Sequence, residues 1–241
     1  MSEVLNSQMI ENNINAFMLD LSILYEDNHI IAVNKKPSQL VQGDKTGDKP
    51  LVEIIKDYIK VKYNKPGNVY LGVVHRLDRP ASGVVLYAKT SKALSRLNLL
   101  FKEKEITKVY WAIVKNRPEK ECDTLNHFLI KNPASNKSFA YDYEKENTKH
   151  AILNYKLLSK TKSYYLLEVN LLTGRHHQIR CQLSKIGCPI KGDVKYGFDR
   201  PNKDSSIHLH AKSVTFIHPI LKEEISIEAI PPVDVLWNLF N

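Results

Sequence analysis

The feature that most restricts how this 241-residue chain can fold is residues 72–90, GVVHRLDRPASGVVLYAKT. Val73 and Val74 approach a charged turn made of His75, Arg76, Asp78 and Arg79. Pro80, Ser82 and Gly83 bend the backbone, and Val84, Val85, Leu86 and Tyr87 lead away as a β-favouring run. The pattern predicts strand, polar turn, strand, an arrangement that sets a reactive side chain on a loop held by a rigid sheet. Asp78 is the one acid of this turn and lies between Arg76 and Arg79. Neighbouring cations favour an ionised carboxylate, and such a group serves as nucleophile or general base toward an anionic substrate. An Asp that only caps the turn and pairs with arginine fits the same pattern.

The remaining elements follow from periodicity. SILYEDNHIIAVNKK at 22–36 predicts a hairpin turning at Asp27 and Asn28, ended by Pro37. Leu51, Val52, Ile54, Ile55, Tyr58 and Ile59 share one face of a helix over 50–62. A second helix, 92–104, is capped by Thr90 or Ser91 and carries the stripe Ala93, Leu94, Leu97, Leu100, Phe101. KVYWAIVK at 108–115 is a strand with Tyr110, Ala112 and Val114 on one face and Val109, Trp111 and Ile113 on the other. Tyr110 there is either a core aromatic or a residue that stacks on a base or exchanges a proton. Residues 116–150 read as irregular and polar, with a short hairpin at most. A second hairpin spans 151–172, and Ile179, Leu183 and Ile186 mark a helix of about three turns. Arg180 lies one residue off that stripe, within reach of a cleft. A last hairpin and a short amphipathic tail close the chain. With no repeat and no linker, one compact α+β domain dominated by hairpins is expected, behind an extension over 1–21.

Charge narrows the partner. The net charge is +9, from 35 basic and 26 acidic residues, which suits a polyanion, nucleic acid first. The cations gather at element junctions: Arg76 and Arg79; Arg175, His176, His177 and Arg180; Lys191 and Lys195. Three such clusters suggest a groove for a phosphate backbone; solvated surface charge is the plainer reading of each alone. The sequence has no run of about 18 apolar residues and no basic-then-apolar leader at its start. Three cysteines without metal-type spacing read as reduced thiols of a cytosolic protein. HExxH, the P-loop, GxGxxG and GxSxG motifs are missing, and adjacent His176 and His177 are expected to point apart on a helix, so neither a metal nor a nucleotide cofactor is expected. His208 and His210 share a strand face and read as internal groups.

VNKKPSQLV (33–41), GVVHRLDRPASGVVLYAKT, KVYWAIVK, LLTGRHHQIRCQLSKIGCPIKGDVKYG (171–197) and HLHAKSVTFIHP (208–219) together resemble, in the same order, the RluA-type RNA pseudouridine synthases. The resemblance covers roughly 22–232, and HRLD-x-x-x-SG with TGR-x-HQIR carries its specificity. It implies a mostly antiparallel mixed β-sheet with flanking helices and an RNA-binding cleft across the sheet, in a single catalytic domain over 22–241. It implies isomerisation of a uridine in RNA without metal, nucleotide or redox cofactor. By motif, Asp78 becomes the catalytic carboxylate, Arg180 its salt-bridge partner and Tyr110 the tyrosine against the uracil, which helps remove a proton. Arg76 becomes the arginine that replaces the extruded base. Arg79, Arg175, His177 and Lys191 join Arg76 as expected RNA contacts. Gln39, Ala81 and His176 depart from the usual residues of the pattern, a matter for loop shape and substrate choice. Only about twenty residues precede the first strand, too few for an S4 domain, so the basic groove itself is expected to hold a tRNA or ribosomal RNA stem-loop. A cytoplasmic monomer is expected. A non-catalytic RNA-binding protein on the same fold is the alternative, and a metal-dependent nuclease a more distant one.

Overall fold

The computed structural model describes residues 21–240. The expected N-terminal extension therefore lies outside the described residues except for Leu21, which is buried in the same apolar cluster as Ile31 and Ile55. β1 (Ile23–Glu26) and β2 (Ile30–Lys35) form the first hairpin. Asp27 fixes its turn, Oδ1 accepting the backbone N–H groups of His29 and Ile30 at 2.7 Å each. Then come α1 (Leu51–Lys62), β3 (Gly72–Val73), β4 (Ser82–Ala88) and α2 (Ser91–Glu103). Thr90 caps α2, its side chain accepting the Ala93 N–H. β5 (Thr107–Val114), β6 (Cys122–Asn132), β7 (Lys137–Tyr141), β8 (Lys149–Lys160) and β9 (Tyr165–Leu171) form the middle of the chain. α3 (Gln178–Lys185), a 3₁₀ turn (Val194–Tyr196), β10 (Leu209–Ile217), β11 (Glu224–Glu228) and α4 (Val235–Asn238) complete it.

The described strands make one eleven-stranded sheet in the order β1-β2-β4-β10-β5-β9-β8-β6-β7, with β3 beside β4 and β11 beside β10. Among them only β4 and β10 pair in parallel, Ser82 opposite His210 and Gly83 opposite Ala211. That contact is close. Gly83 has φ +116°, and a Cβ there would stand 2.3 Å from the Ala211 carbonyl oxygen, so glycine is required. β2 and β4 are buried on both faces, which explains their unbroken apolar runs. Ile31, Val33, Val85 and Tyr87 pack toward α1, whereas Ile30, Ala32, Val84 and Leu86 pack toward α2. A third cluster joins Tyr110, Ala112, Val114, Leu153, Val169 and Leu209 to α3 through Ile179 and Leu183.

The structure differs from expectation in the middle of the chain. Residues 116–150 hold β6, at eleven residues one of the longer strands, and its hairpin partner β7. Leu125, His127 and Leu129 alternate inward along β6. The polar His127 hid that alternation: its buried ring is paired with the Gln182 side chain, Nδ1 lying 2.9 Å from the amide nitrogen. α3 is eight residues, about two turns. No described helix is long and apolar enough to cross a membrane.

Candidate active site

The β3–β4 turn carries Asp78 on a backbone tied from several sides. Ala81 N–H donates to the Asp78 carbonyl at 3.0 Å, closing the turn. The Arg79 carbonyl accepts from Ser38 N–H at 2.9 Å and from Lys35 Nζ at 3.0 Å, and the Pro80 carbonyl accepts from Ile207 N–H at 3.1 Å. His75 pins the turn to β4 by accepting the Leu86 N–H at 3.0 Å. Burial holds the His75 imidazole down to about 4, so that nitrogen is an acceptor at neutral pH.

Lys35 is the last residue of β2, and its local pattern carries no sign of a role. Its residue is fully buried, and Nζ donates to the carbonyls of Lys36, Gln39 and Arg79 at 3.0 Å each. Burial pulls its pKa down to about 7 against the opposing pull of the Asp78 charge. Gln39, one of the departures from the family pattern, closes the same loop by accepting Lys36 N–H at 2.9 Å.

The segment before α3 is stitched by Gln178, whose Oε1 accepts from Thr173 Oγ1 at 2.8 Å and Arg175 N–H at 2.9 Å. This directs Arg180 back toward the turn. Nη1 of Arg180 donates to Asp78 Oδ2 at 2.9 Å, while Nε and Nη2 hold Asp193 at 2.6 and 2.8 Å. A forked guanidinium–carboxylate pair of this kind fixes geometry as well as charge. The side chains of Arg180 and Asp193 are 6% and 1% exposed, against 29% for Asp78, so the pair anchors an accessible carboxylate. Burial opposes the Arg180 charge, but its hydrogen bonds to Asp193 and the charges of Asp78 and Asp193 outweigh it and raise its pKa. Asp193 was legible only as one residue inside the fourth matching stretch; nothing in its local pattern announced an anchor.

These groups line a cleft of about 670 Å³ that crosses the sheet over Leu209 of β10, Lys108 and Tyr110 of β5, and Leu171 at the end of β9. That volume is in the range that holds a small ligand. Tyr110 is buried on the cleft floor. Burial first, and the Asp78 charge second, raise its pKa, so the phenol stays protonated at neutral pH. Arg76, Arg79, Arg175 and His177 line the same cleft, together with Lys131 and Lys195. Arg79 is engaged there by Asp48, 2.6 Å away, and Arg175 donates to the His150 carbonyl at 2.9 Å. Lys191 is the exception: it is absent from the cleft lining, and its ammonium is bonded to the Asn202 side chain. His176 and His177 precede α3 and do not point apart. His177 has φ 51°, which brings the two rings into a stack at 3.8 Å. His208 and His210 are internal, contacting Asp234 and Ser82 at 3.0 and 2.9 Å. Among the described residues no group of three or more His, Cys, Asp or Glu is arranged to hold a metal ion.

A sequence model of the family described as RNA pseudouridylate synthase matches residues 29–185. Ribosomal large subunit pseudouridine synthase C of Rickettsia prowazekii is 36% identical over 216 residues, covering 87% of this chain and 68% of its own length. The protein of the same name from Vibrio cholerae is 31% identical over 217 residues, 88% of this chain and 66% of its own. Among solved structures, human RNA pseudouridylate synthase domain containing 4 superposes with a TM-score of 0.78 over 97% of both chains, at 23% identity, a likeness of fold.

Proposed function

The chain belongs to the RNA pseudouridylate synthase family and is an RNA pseudouridine synthase, and from that premise we propose that it isomerises a uridine of large-subunit ribosomal RNA with Asp78 as its catalytic carboxylate. The substrate follows the names of the bacterial relatives, both ribosomal large subunit pseudouridine synthases. The reaction breaks N1–C1′, turns the uracil and joins C5 to C1′. The C5 proton is lost and N1 gains one, so atoms balance without a co-reactant. A cytoplasmic location goes with that substrate.

The single observation that carries the site assignment is the Asp78–Arg180–Asp193 chain at the wall of a cationic cleft. Arg180 keeps one Asp78 oxygen occupied and leaves the carboxylate exposed enough to meet a ribose. Tyr110, protonated and buried on the floor, suits a platform for the uracil and a hydroxyl donor better than a phenolate base. Arg76, exposed on the wall, takes the gap left in the RNA stack; opening that gap costs a few kcal/mol. Arg79, Arg175, Lys131 and Lys195 hold the flanking phosphates.

The test is Asp78→Asn. Isomerisation of ribosomal RNA drops by about 10²–10⁴-fold or more, while RNA affinity survives. Mapping pseudouridines in ribosomal RNA from cells with and without the gene identifies the position. An active Asp78→Asn enzyme, or unchanged ribosomal RNA in cells lacking the gene, overturns the corresponding half of the proposal.

A further inference from the structure

A second group besides Arg180 faces the Asp78 carboxylate. The positive φ of His177 turns its ring into the cleft wall, where the side chain is 6% exposed. Nε2 stands 3.6 Å from Asp78 Oδ2, longer than a hydrogen bond but closed by a shift of about half an ångström. Nδ1 lies 3.0 Å from the Tyr196 hydroxyl.

That hydroxyl decides which nitrogen carries the proton. Tyr196 Oη already accepts the Ser138 backbone N–H at 2.7 Å, and among the described residues its own hydrogen has His177 Nδ1 as its acceptor. With Nδ1 accepting, the proton of a neutral imidazole sits on Nε2, toward Asp78. Burial keeps the ring neutral, pulling His177 down to about 3 against the Asp78 charge. Burial likewise pushes Tyr196 up to about 12, so the phenol keeps its hydrogen. His176 braces the arrangement: its ring stacks on His177 at 22° and 3.8 Å and is itself within 2.9 Å of Ser138 Oγ. Arg180 and His177 both approach Oδ2, which leaves Oδ1 for the ribose.

We propose that His177 is a positioning residue for the reaction: a neutral imidazole, set by Tyr196, whose Nε2–H closes onto Asp78 Oδ2 and presents Oδ1 to the nucleoside. This rests on the reading of Asp78 as the catalytic carboxylate. It also moves His177 from the RNA contacts to the machinery that aims the acid.

Single-turnover rates at saturating ribosomal RNA fragment, with RNA affinity measured in parallel, test it on three variants. His177→Leu slows turnover by about 10–100-fold, the loss of a hydrogen bond to a charged group. His177→Gln, whose amide nitrogen reaches the same place, restores most of the rate at the same backbone cost. Tyr196→Phe, which frees the imidazole to carry its proton on either nitrogen, slows turnover without weakening RNA binding. A full rate in His177→Leu overturns the proposal. So does equal slowing of His177→Leu and His177→Gln with a full rate in Tyr196→Phe, which marks packing alone. Loss of RNA affinity with an unchanged saturated rate overturns it too, since that marks an RNA contact. If His177→Leu does not fold, Tyr196→Phe decides: slowed supports the proposal, unchanged overturns it. An inactive Asp78→Asn beside a full-rate His177→Leu sinks this inference alone; an active Asp78→Asn sinks the reading beneath it.

Discussion

The accessible carboxylate of Asp78 and the buried one of Asp193 share a single guanidinium, and the buried partner decides where that guanidinium points. Replacing Asp193 by Asn removes the charge and one face of the fork. Arg180 then turns more fully toward Asp78 or toward water. Asp193→Asn is expected to cost about 1–3 kcal/mol of stability, the scale of a lost charge-assisted hydrogen bond, and to lower the single-turnover rate at saturating RNA. Urea unfolding and rapid-quench turnover check the two effects separately. Asp78, Arg180 and Tyr110 were legible because each stands inside a motif whose spacing is distinctive. Asp193 and Lys35 were not, because their roles appear only when residues distant in sequence close around them: Arg180 thirteen positions before one, the Arg79 carbonyl forty-four after the other. The histidine pair was misread for a local reason. A left-handed residue at 177 reverses the directions that a continuous helix would impose.

Between elements, Glu26 at the end of β1 gathers donors from two neighbours. Tyr58 and Lys62 of α1 donate at 2.9 and 2.7 Å, Tyr63 at the end of that helix at 2.9 Å, and Lys89 just past β4 at 2.7 Å. Burial disfavours its charge, but these hydrogen bonds outweigh that and bring its pKa from 4.5 down to about 2. A carboxylate lowered in the folded state binds fewer protons folded than unfolded, so its stabilisation is complete above the unfolded value and fades as pH falls through the folded one. The stability difference between wild type and Glu26→Gln is therefore expected to be full at neutral pH and to close between 4.5 and about 2; chemical denaturation across that range measures it. Most elements were legible from period alone, with boundaries moved by a residue or two. β6 was not, because a histidine at an inward position reads as polar until its partner on α3 is known.

For the whole molecule, the excess of nine positive charges matters where the fold concentrates it. Arg76, Lys131, Arg175 and Lys195 come from separate stretches and meet along one cleft. RNA affinity is expected to fall linearly with salt on logarithmic axes, and Lys195→Ala is expected to reduce the slope by about 0.7–0.9. Lys191→Ala is expected to leave the slope unchanged, because that ammonium is committed to Asn202 outside the cleft lining. Filter binding across a salt series distinguishes the two lysines. The sequence by itself determined most of the strands and helices, the carboxylate turn and the family, because alternation, capping and short motifs are local properties of a chain. Tertiary structure alone decided which charges line the cleft, which are spent inside, and which oxygen of Asp78 stays open. Burial and hydrogen-bond partners belong to the packed sheet, and no stretch of residues contains them until it is folded.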